Sequence, residues 1–155
     1  MSEYDDDVYA WSQRQGALLR RLAAGECIND ADLDWPNIAE EIETVGRSER
    51  RAIASRLGNI IEHLMKLEAS PAEDPRAGWR MTIERSRIEI EALLDDSPSL
   101  KPQIDELIVS ELPRARRLAS AVLTEHHEAP RIDLQSLIYS EDQVLGDWFP
   151  DDSGG

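Results

Sequence analysis

The chain has 155 residues, of which 32 are acidic and 17 are basic, and its formal net charge is −15. A field of this sign repels phosphate backbones and anionic lipid headgroups, so the composition disfavours nucleic-acid and membrane partners but permits a basic protein partner. The single cysteine, Cys27, has no intrachain partner, no apolar run is long enough to span a membrane, and the acidic N-terminus lacks the features of a secretory signal. We therefore expect a cytoplasmic protein with one domain over residues 1–150 and a disordered acidic tail over 151–155.

The first predicted helix spans Asp7 to Ala24, where apolar residues recur at helical spacing. Asp5 or Asp6 can cap its start, and Gly25 is placed to end it. An acidic loop that runs up to Pro36 follows this helix.

That loop has part of the spacing of a calcium-binding loop. Asp30, Asp32, Asp34 and Glu41 occupy positions 1, 3, 5 and 12 of the EF-hand pattern. However, the sixth position requires glycine for a sharp turn, and here it is Trp35. The sequence therefore favours a solvated acidic loop in which Asp34 caps the next helix, rather than a calcium site.

The second predicted helix is the longest, and its apolar stripe covers Asn37 to Leu67. Pro36 lies near its first turn, where the missing N–H costs nothing. Gly46 and Gly58 each weaken a helix by about 1 kcal/mol relative to alanine. We therefore expect close packing or a slight bend at these two glycines.

The third predicted helix spans about Trp79 to Leu94, and a fourth follows it. Ser97 or Ser99 can cap the fourth helix, and Pro102 favours Ser99 because it then falls within the first turn. Pro113 should kink or split this helix. Its apolar residues are Ile104, Leu107, Ile108, Leu112, Leu118 and Val122.

The C-terminal part of the chain predicts two short helices, around Asp133–Tyr139 and Asp142–Leu145, and a packed pair, Trp148 and Phe149. No alternating strand pattern, internal repeat or linker is present in the sequence. The predicted fold is therefore an all-α, single-domain helical bundle with about four main helices and short C-terminal helices.

Several segments together resemble a known family. They read NIAEEIETVGRSERR, HLMKL, GWRMTI with Arg87 after it, LLDDSPSLKP and YSEDQVLGDWFP, in this order along nearly the whole chain. This pattern resembles the uncharacterised bacterial family catalogued as domain of unknown function number twenty-nine. The resemblance implies an all-α bundle from a bacterium, and it implies no activity, cofactor or catalytic residue.

A polar line along the second helix is the first candidate site. Glu49, Arg56 and His63 are seven residues apart and lie on one stripe within the apolar arc. They could meet arginines that flank the apolar face of the third helix, either as a structural salt-bridge network or as an anion-binding or proton-transfer site. The candidate binding residues are Glu41, Glu49, Arg56, His63, Arg80 and Arg87.

Other kinds of chemistry find little support in the sequence. No histidine has a glutamate three residues before it, as a di-iron bundle requires, and the adjacent His126 and His127 point about 100° apart on a helix. No nucleophile elbow or phosphate-binding loop is present. We predict no metal, no cofactor and no catalytic residue. Two hypotheses stay open: a non-enzymatic protein-interaction module, and a small-molecule or anion binder that uses the polar cluster.

Overall fold

Helices form all the regular secondary structure within residues 2–150, the part of the chain that this computed structural model describes. The α-helices are α1 (Glu3–Asp6), α2 (Val8–Ala23), α3 (Trp35–Ala69), α4 (Arg76–Asp96), α5 (Ile104–Glu125) and α6 (Glu141–Leu145), and short 3-10 helices cover Asp30–Asp32, Pro98–Gln103 and Leu134–Ser136. The prediction of an all-α fold is confirmed. The predicted disordered tail, residues 151–155, lies outside the described residues.

The chain forms two compact units, one up to Ser48 and one from Glu49. The first unit contains α1, α2 and the beginning of α3. Its small core consists of Trp11, Leu33 and Ile38, and the ring of Tyr4 meets that of Trp11 edge-on with the ring centroids 4.8 Å apart. The single domain expected over residues 1–150 stays a prediction.

The start of α2 differs from the prediction. The chain first forms α1, in which Ser2 and Asp5 make a capping box, so Asp5 is not available to cap α2. The cap of α2 is Asp7, whose carboxylate accepts a hydrogen bond of 2.9 Å from the N–H of Ala10. The prediction that Asp5 or Asp6 caps this helix was therefore wrong. Gly25 adopts φ +84° just after the helix, as expected of a C-terminal glycine.

Asp34 caps α3, as the sequence predicts. Its carboxylate accepts hydrogen bonds from the side chain and backbone of Asn37 and from Nε1 of Trp11, the last at 2.9 Å. These donors, with the Asn37 side chain first, hold the pKa of Asp34 below its ordinary value. Trp35 is the first residue of α3, so the acidic loop passes directly into the helix.

The second unit contains the main core, which forms around the C-terminal half of α3. Between Ile60 and Ala69 this helix is buried or half-buried at every position, because α4, α5 and the C-terminal segment, residues 134–149, pack around it. The side chains of this core that are most fully buried are Ile53, Leu57, Ile60, Ile61, Leu64, Met65, Ile83, Ile90, Ile104, Leu107, Ile108 and Val144.

The fourth predicted helix begins later than expected and is not split at Pro113. Ser99 does not cap it, because Pro98–Gln103 forms a 3-10 helix and α5 begins at Ile104. Val109, whose carbonyl loses its usual donor at Pro113, is exposed and can bond to water. The alternative of a kink at Pro113 stays a prediction. Leu118, one of the predicted apolar residues of this helix, is 43% exposed.

The C-terminal segment packs onto the main core. Trp148 and Phe149 are half-buried against it, as predicted, and Tyr139 is buried. The Tyr139 hydroxyl donates to a carboxylate oxygen of Glu68 at 2.5 Å, and burial together with this acceptor raises the Tyr139 pKa. Segments without regular structure are therefore held to α3 by specific polar contacts.

Candidate functional site

The polar stripe of α3 does meet α4, and the contact is an ordinary interhelical network. Arg56 forms an ion pair with Glu89 of α4, and Nδ2 of Asn59 donates to Oγ of Ser86 at 3.0 Å. Arg56 and Glu89 are both about half exposed, which limits the stabilisation from this pair to about 0–1 kcal/mol. In this pair the arginine lies on α3 and the carboxylate on α4. The pairing considered from the sequence was the reverse, with carboxylates on α3 and arginines on α4.

Arg87 binds backbone carbonyls rather than a carboxylate of α3. Its guanidinium donates to the carbonyl of Val144 at 2.9 Å, of Gln143 at 3.0 Å and of Trp148 at 2.6 Å. A further hydrogen bond of 2.9 Å goes to Glu84 on its own helix. Since its side chain is only 7% exposed, Arg87 is a buried anchor for the C-terminal segment.

Arg80 and Arg87 also share an aromatic neighbour. Their guanidinium carbons lie 5.7 Å and 4.8 Å from the ring centroid of Phe149. The arginines predicted on α4 are therefore brought together, but around the C-terminal segment. Arg56 lines a separate cleft on another side of α3.

Two of the remaining sequence candidates, Glu41 and His63, have local partners. Glu41 belongs to the first unit, where it accepts a hydrogen bond of 2.5 Å from the hydroxyl of Tyr4. Nδ1 of His63 donates to the carbonyl of Asn59 at 2.7 Å, and burial lowers the His63 pKa. Glu49 is half-buried. Within the second unit the candidates are not gathered in one cleft, since Arg56 lines one cleft and Arg87 another, and the binding role of all six residues stays a prediction.

A large cleft of the second unit lies where α3 ends and α4 begins. We call it the Trp79 groove; its volume is about 850 Å³. Such a volume is within the roughly 300–1,000 Å³ of ligand-binding pockets. The lining residues are Lys66, Ala72, Glu73, Asp74, Pro75, Trp79, Val122, His126 and Glu128.

Lys66 forms the inner wall of the Trp79 groove. Its ammonium group lies 5.2 Å from the ring centroid of Trp79 and 3.6 Å from a carboxylate oxygen of Glu62. The side chain is 7% exposed, and this burial lowers its pKa. Because Glu62 compensates the charge of Lys66, the groove is not a strong cationic site.

The rim of the Trp79 groove is acidic and well ordered by hydrogen bonds. Glu73, Asp74 and Glu128 contribute carboxylates, and Oγ of Ser70 donates to Glu128 at 2.7 Å. Arg76 turns its guanidinium towards the last turn of α3 and donates to the carbonyl of Leu67 at 2.6 Å. The loop that carries the acidic rim is therefore anchored at both ends.

A second, smaller cleft separates α3 from α5. We call it the Gly58 cleft; its volume is about 140 Å³. Glu111 of α5 points at Gly58 of α3, and a Cβ at Gly58 would lie 2.7 Å from Oε2 of Glu111. The close packing predicted at this glycine is confirmed, whereas Gly46 faces open space. The lining residues are Ser55, Arg56, Gly58, Asn59, Glu62, Glu111, Arg114, Ala115 and Leu118.

The sequence interpretation missed both clefts as sites. Lys66 lies between Met65 and Leu67, and a cation flanked by apolar residues was an available indication of a buried, paired ammonium group. Gly58 in the middle of a long helix was an available indication of a close approach. Its partner Glu111 could not be identified, because no pattern in α5 marks the glutamate that faces it.

The family model described as "Domain of unknown function DUF29" matches residues 3–149. The chain belongs to this family. DUF29 is a domain of unknown function, so membership assigns no activity.

A solved structure has a similar fold. It is a crystal structure of an alpha-helical protein of unknown function from Rhodospirillum rubrum, 30% identical to this chain, with a TM-score of 0.62. The match covers 97% of this chain and 93% of that chain. No curated protein matches this DUF29 chain.

Two further observations concern the described residues alone. Among residues 2–150, no helix combines the length and apolar character that a membrane span needs. Over the same range, no three histidine, cysteine, aspartate or glutamate side chains are grouped closely enough to hold a metal ion.

Proposed function

We propose that this DUF29 protein is a non-enzymatic interaction module that binds a basic segment of a partner protein in the Trp79 groove. The observation that carries this proposal is the combination of an aromatic wall with an acidic rim in the Trp79 groove. Glu73, Asp74 and Glu128 provide anionic acceptors, and Trp79 provides an aromatic surface. Arginine side chains bind both kinds of group, through bidentate hydrogen bonds to carboxylates and through stacking on aromatic rings.

The charge of the whole chain supports the same class of partner. With a net charge of −15, the protein attracts cationic segments and accelerates their encounter, while it repels nucleic acids and anionic membranes. The same proposal places the protein in the cytoplasm, where the exposed, unpaired Cys27 would stay reduced.

A short glycine-serine peptide that carries two arginines is a suitable probe, and the same peptide with citrulline in place of arginine is its neutral control. Binding should be measured by calorimetry and by ¹⁵N NMR, in which the indole N–H of Trp79, assigned with Trp79→Phe, should shift on titration. We expect the arginine peptide to bind, the citrulline peptide not to bind, and the affinity to fall as salt is raised.

Two pairs of variants distinguish binding in the Trp79 groove from general electrostatic attraction to an acidic protein. Glu73→Gln with Asp74→Asn removes two rim charges and should weaken binding by up to about fivefold for each carboxylate. Asp95→Asn with Asp96→Asn removes the same charge at the opposite end of α4, about 30 Å away along the helix. If both pairs weaken binding equally, the groove is not the site and the proposal is wrong.

A second candidate function is the binding of a small molecule in the same groove. It is favoured by one observation, the volume of about 850 Å³ beside the nearly buried Lys66. A thermal-shift screen of metabolites distinguishes it, because a true ligand should raise the melting temperature of the wild type and not that of Trp79→Ala. Stabilisation of both proteins by the same compound would argue against this site.

A further inference from the structure

Glu111 holds one carboxylate oxygen in an unfavourable environment. Its Oε2 atom is buried and has no hydrogen-bond partner among the described residues. Desolvation of a charged acceptor without a partner is costly, and native proteins keep few such atoms. The position of this oxygen therefore calls for an explanation beyond the stability of α5.

Gly58 is a second residue that lowers stability at this contact. Glycine inside a helix costs about 1 kcal/mol relative to alanine. Here the missing Cβ is what lets Oε2 of Glu111 come close to α3, since a Cβ would lie 2.7 Å from that oxygen. Neither residue benefits the fold at this contact, but together they hold a carboxylate against α3 in the wall of the Gly58 cleft.

The charges around the cleft indicate what could occupy it. Glu62 pairs with Lys66, and Arg56 pairs with Glu89. Glu111 and Arg114 line the same cleft and have no ion pair within residues 2–150. The carboxylate of Glu111 and the guanidinium of Arg114 are therefore both available to a ligand. A ligand that pairs with both must carry a cationic hydrogen-bond donor and an anionic acceptor.

We propose that the Gly58 cleft binds a small zwitterion of the amino-acid class. From within the cleft the ammonium group would donate to the carboxylate of Glu111, and the ligand carboxylate would accept from the guanidinium of Arg114. The cleft volume of about 140 Å³ is well below that of a drug-sized pocket, so it selects amino acids with short side chains. Water is the competing occupant, since it can also donate to a buried carboxylate.

The test is a titration of the full chain with glycine and L-alanine, followed by calorimetry and by the ¹⁵N-amide signal of Gly58, which Gly58→Ala identifies. Methylammonium chloride and sodium acetate serve as half-ligands that carry one charge each. We expect both amino acids to bind and to shift the Gly58 signal, and each half-ligand to bind about tenfold or more weakly.

Variants connect the binding to the two residues. Glu111→Gln and Arg114→Gln should each weaken binding by about tenfold to a hundredfold. Gly58→Ala should abolish it by displacing the carboxylate. Arg117→Gln, on the same helix and outside the lining residues, is the matched control and should bind as the wild type does. The proposal is overturned if neither amino acid shifts the Gly58 signal, if methylammonium binds as tightly as glycine, or if Glu111→Gln binds normally.

Discussion

Replacement of Arg87 by methionine tests how the C-terminal segment is held. Methionine fills much of the same volume but removes every donor that reaches the carbonyls of Gln143, Val144 and Trp148. Each hydrogen bond to a charged group contributes about 1.5–3 kcal/mol. The segment can detach and rehydrate, however, so the contributions do not add fully. We expect a loss of about 3–5 kcal/mol in the free energy of unfolding, which is typical when a buried charged network loses one member.

Urea denaturation followed by circular dichroism measures this loss, and hydrogen exchange shows where it occurs. Amides of residues 141–149 should lose protection in Arg87→Met, because α6 and the residues after it depend on the guanidinium. Arg85→Met is the matched control: Arg85 is exposed, and its replacement should change stability by less than about 0.5 kcal/mol. A loss below about 1 kcal/mol, or unchanged protection over 141–149, would refute the anchoring role.

Three further predictions concern single side chains. Gly58→Ala should change the free energy of unfolding by less than about 1 kcal/mol in urea, because the flexible end of Glu111 can move aside while helix propensity improves; a larger loss would mean that the carboxylate cannot move. Tyr139→Phe should cost about 1–3 kcal/mol by removing the hydroxyl that donates to the half-buried carboxylate of Glu68, whereas Tyr9→Phe, 71% exposed, should have no effect. Because burial lowers the pKa of His63, its neutral form stabilises the native state above pH ~6.5, and this stability is lost as the pH falls through the native pKa. His63→Gln should therefore reduce the change in urea midpoint on acidification below pH ~6.5, and an unchanged pH dependence would exclude this role.

The main helices could be predicted from the sequence because their determinants are local. Apolar spacing indicates α2 and α3, Gly25 ends α2, and Asp34 caps α3 through donors close to it in sequence or in the same unit. The prediction was wrong where solvent can replace an internal hydrogen bond. Pro113 does not split α5, and Val109, whose carbonyl loses its donor, is exposed and can bond to water instead.

The role of Arg87 could not be predicted for a different reason. Its partners are backbone carbonyls 56 to 61 residues away along the chain, and a carbonyl carries no side-chain identity that a sequence pattern could reveal. The stripe of Glu49, Arg56 and His63 was a sound geometric inference about α3. What it could not show is that Arg56 finds its partner on α4 while Arg87 turns towards the C-terminal segment.

Basic side chains of the second unit are used repeatedly to bind backbone carbonyls. Arg116 donates to the carbonyl of Leu137 at 2.8 Å, and Arg131 to that of Pro71 at 3.2 Å, as Arg76 and Arg87 do elsewhere. These contacts hold segments without regular structure to the helices around them, since Pro71 precedes α4 and Leu137 lies between α5 and α6. A hydrogen bond from a charged donor to a backbone carbonyl is stronger than one between neutral groups, so each of these arginines can fix a segment that has no regular hydrogen-bond ladder of its own.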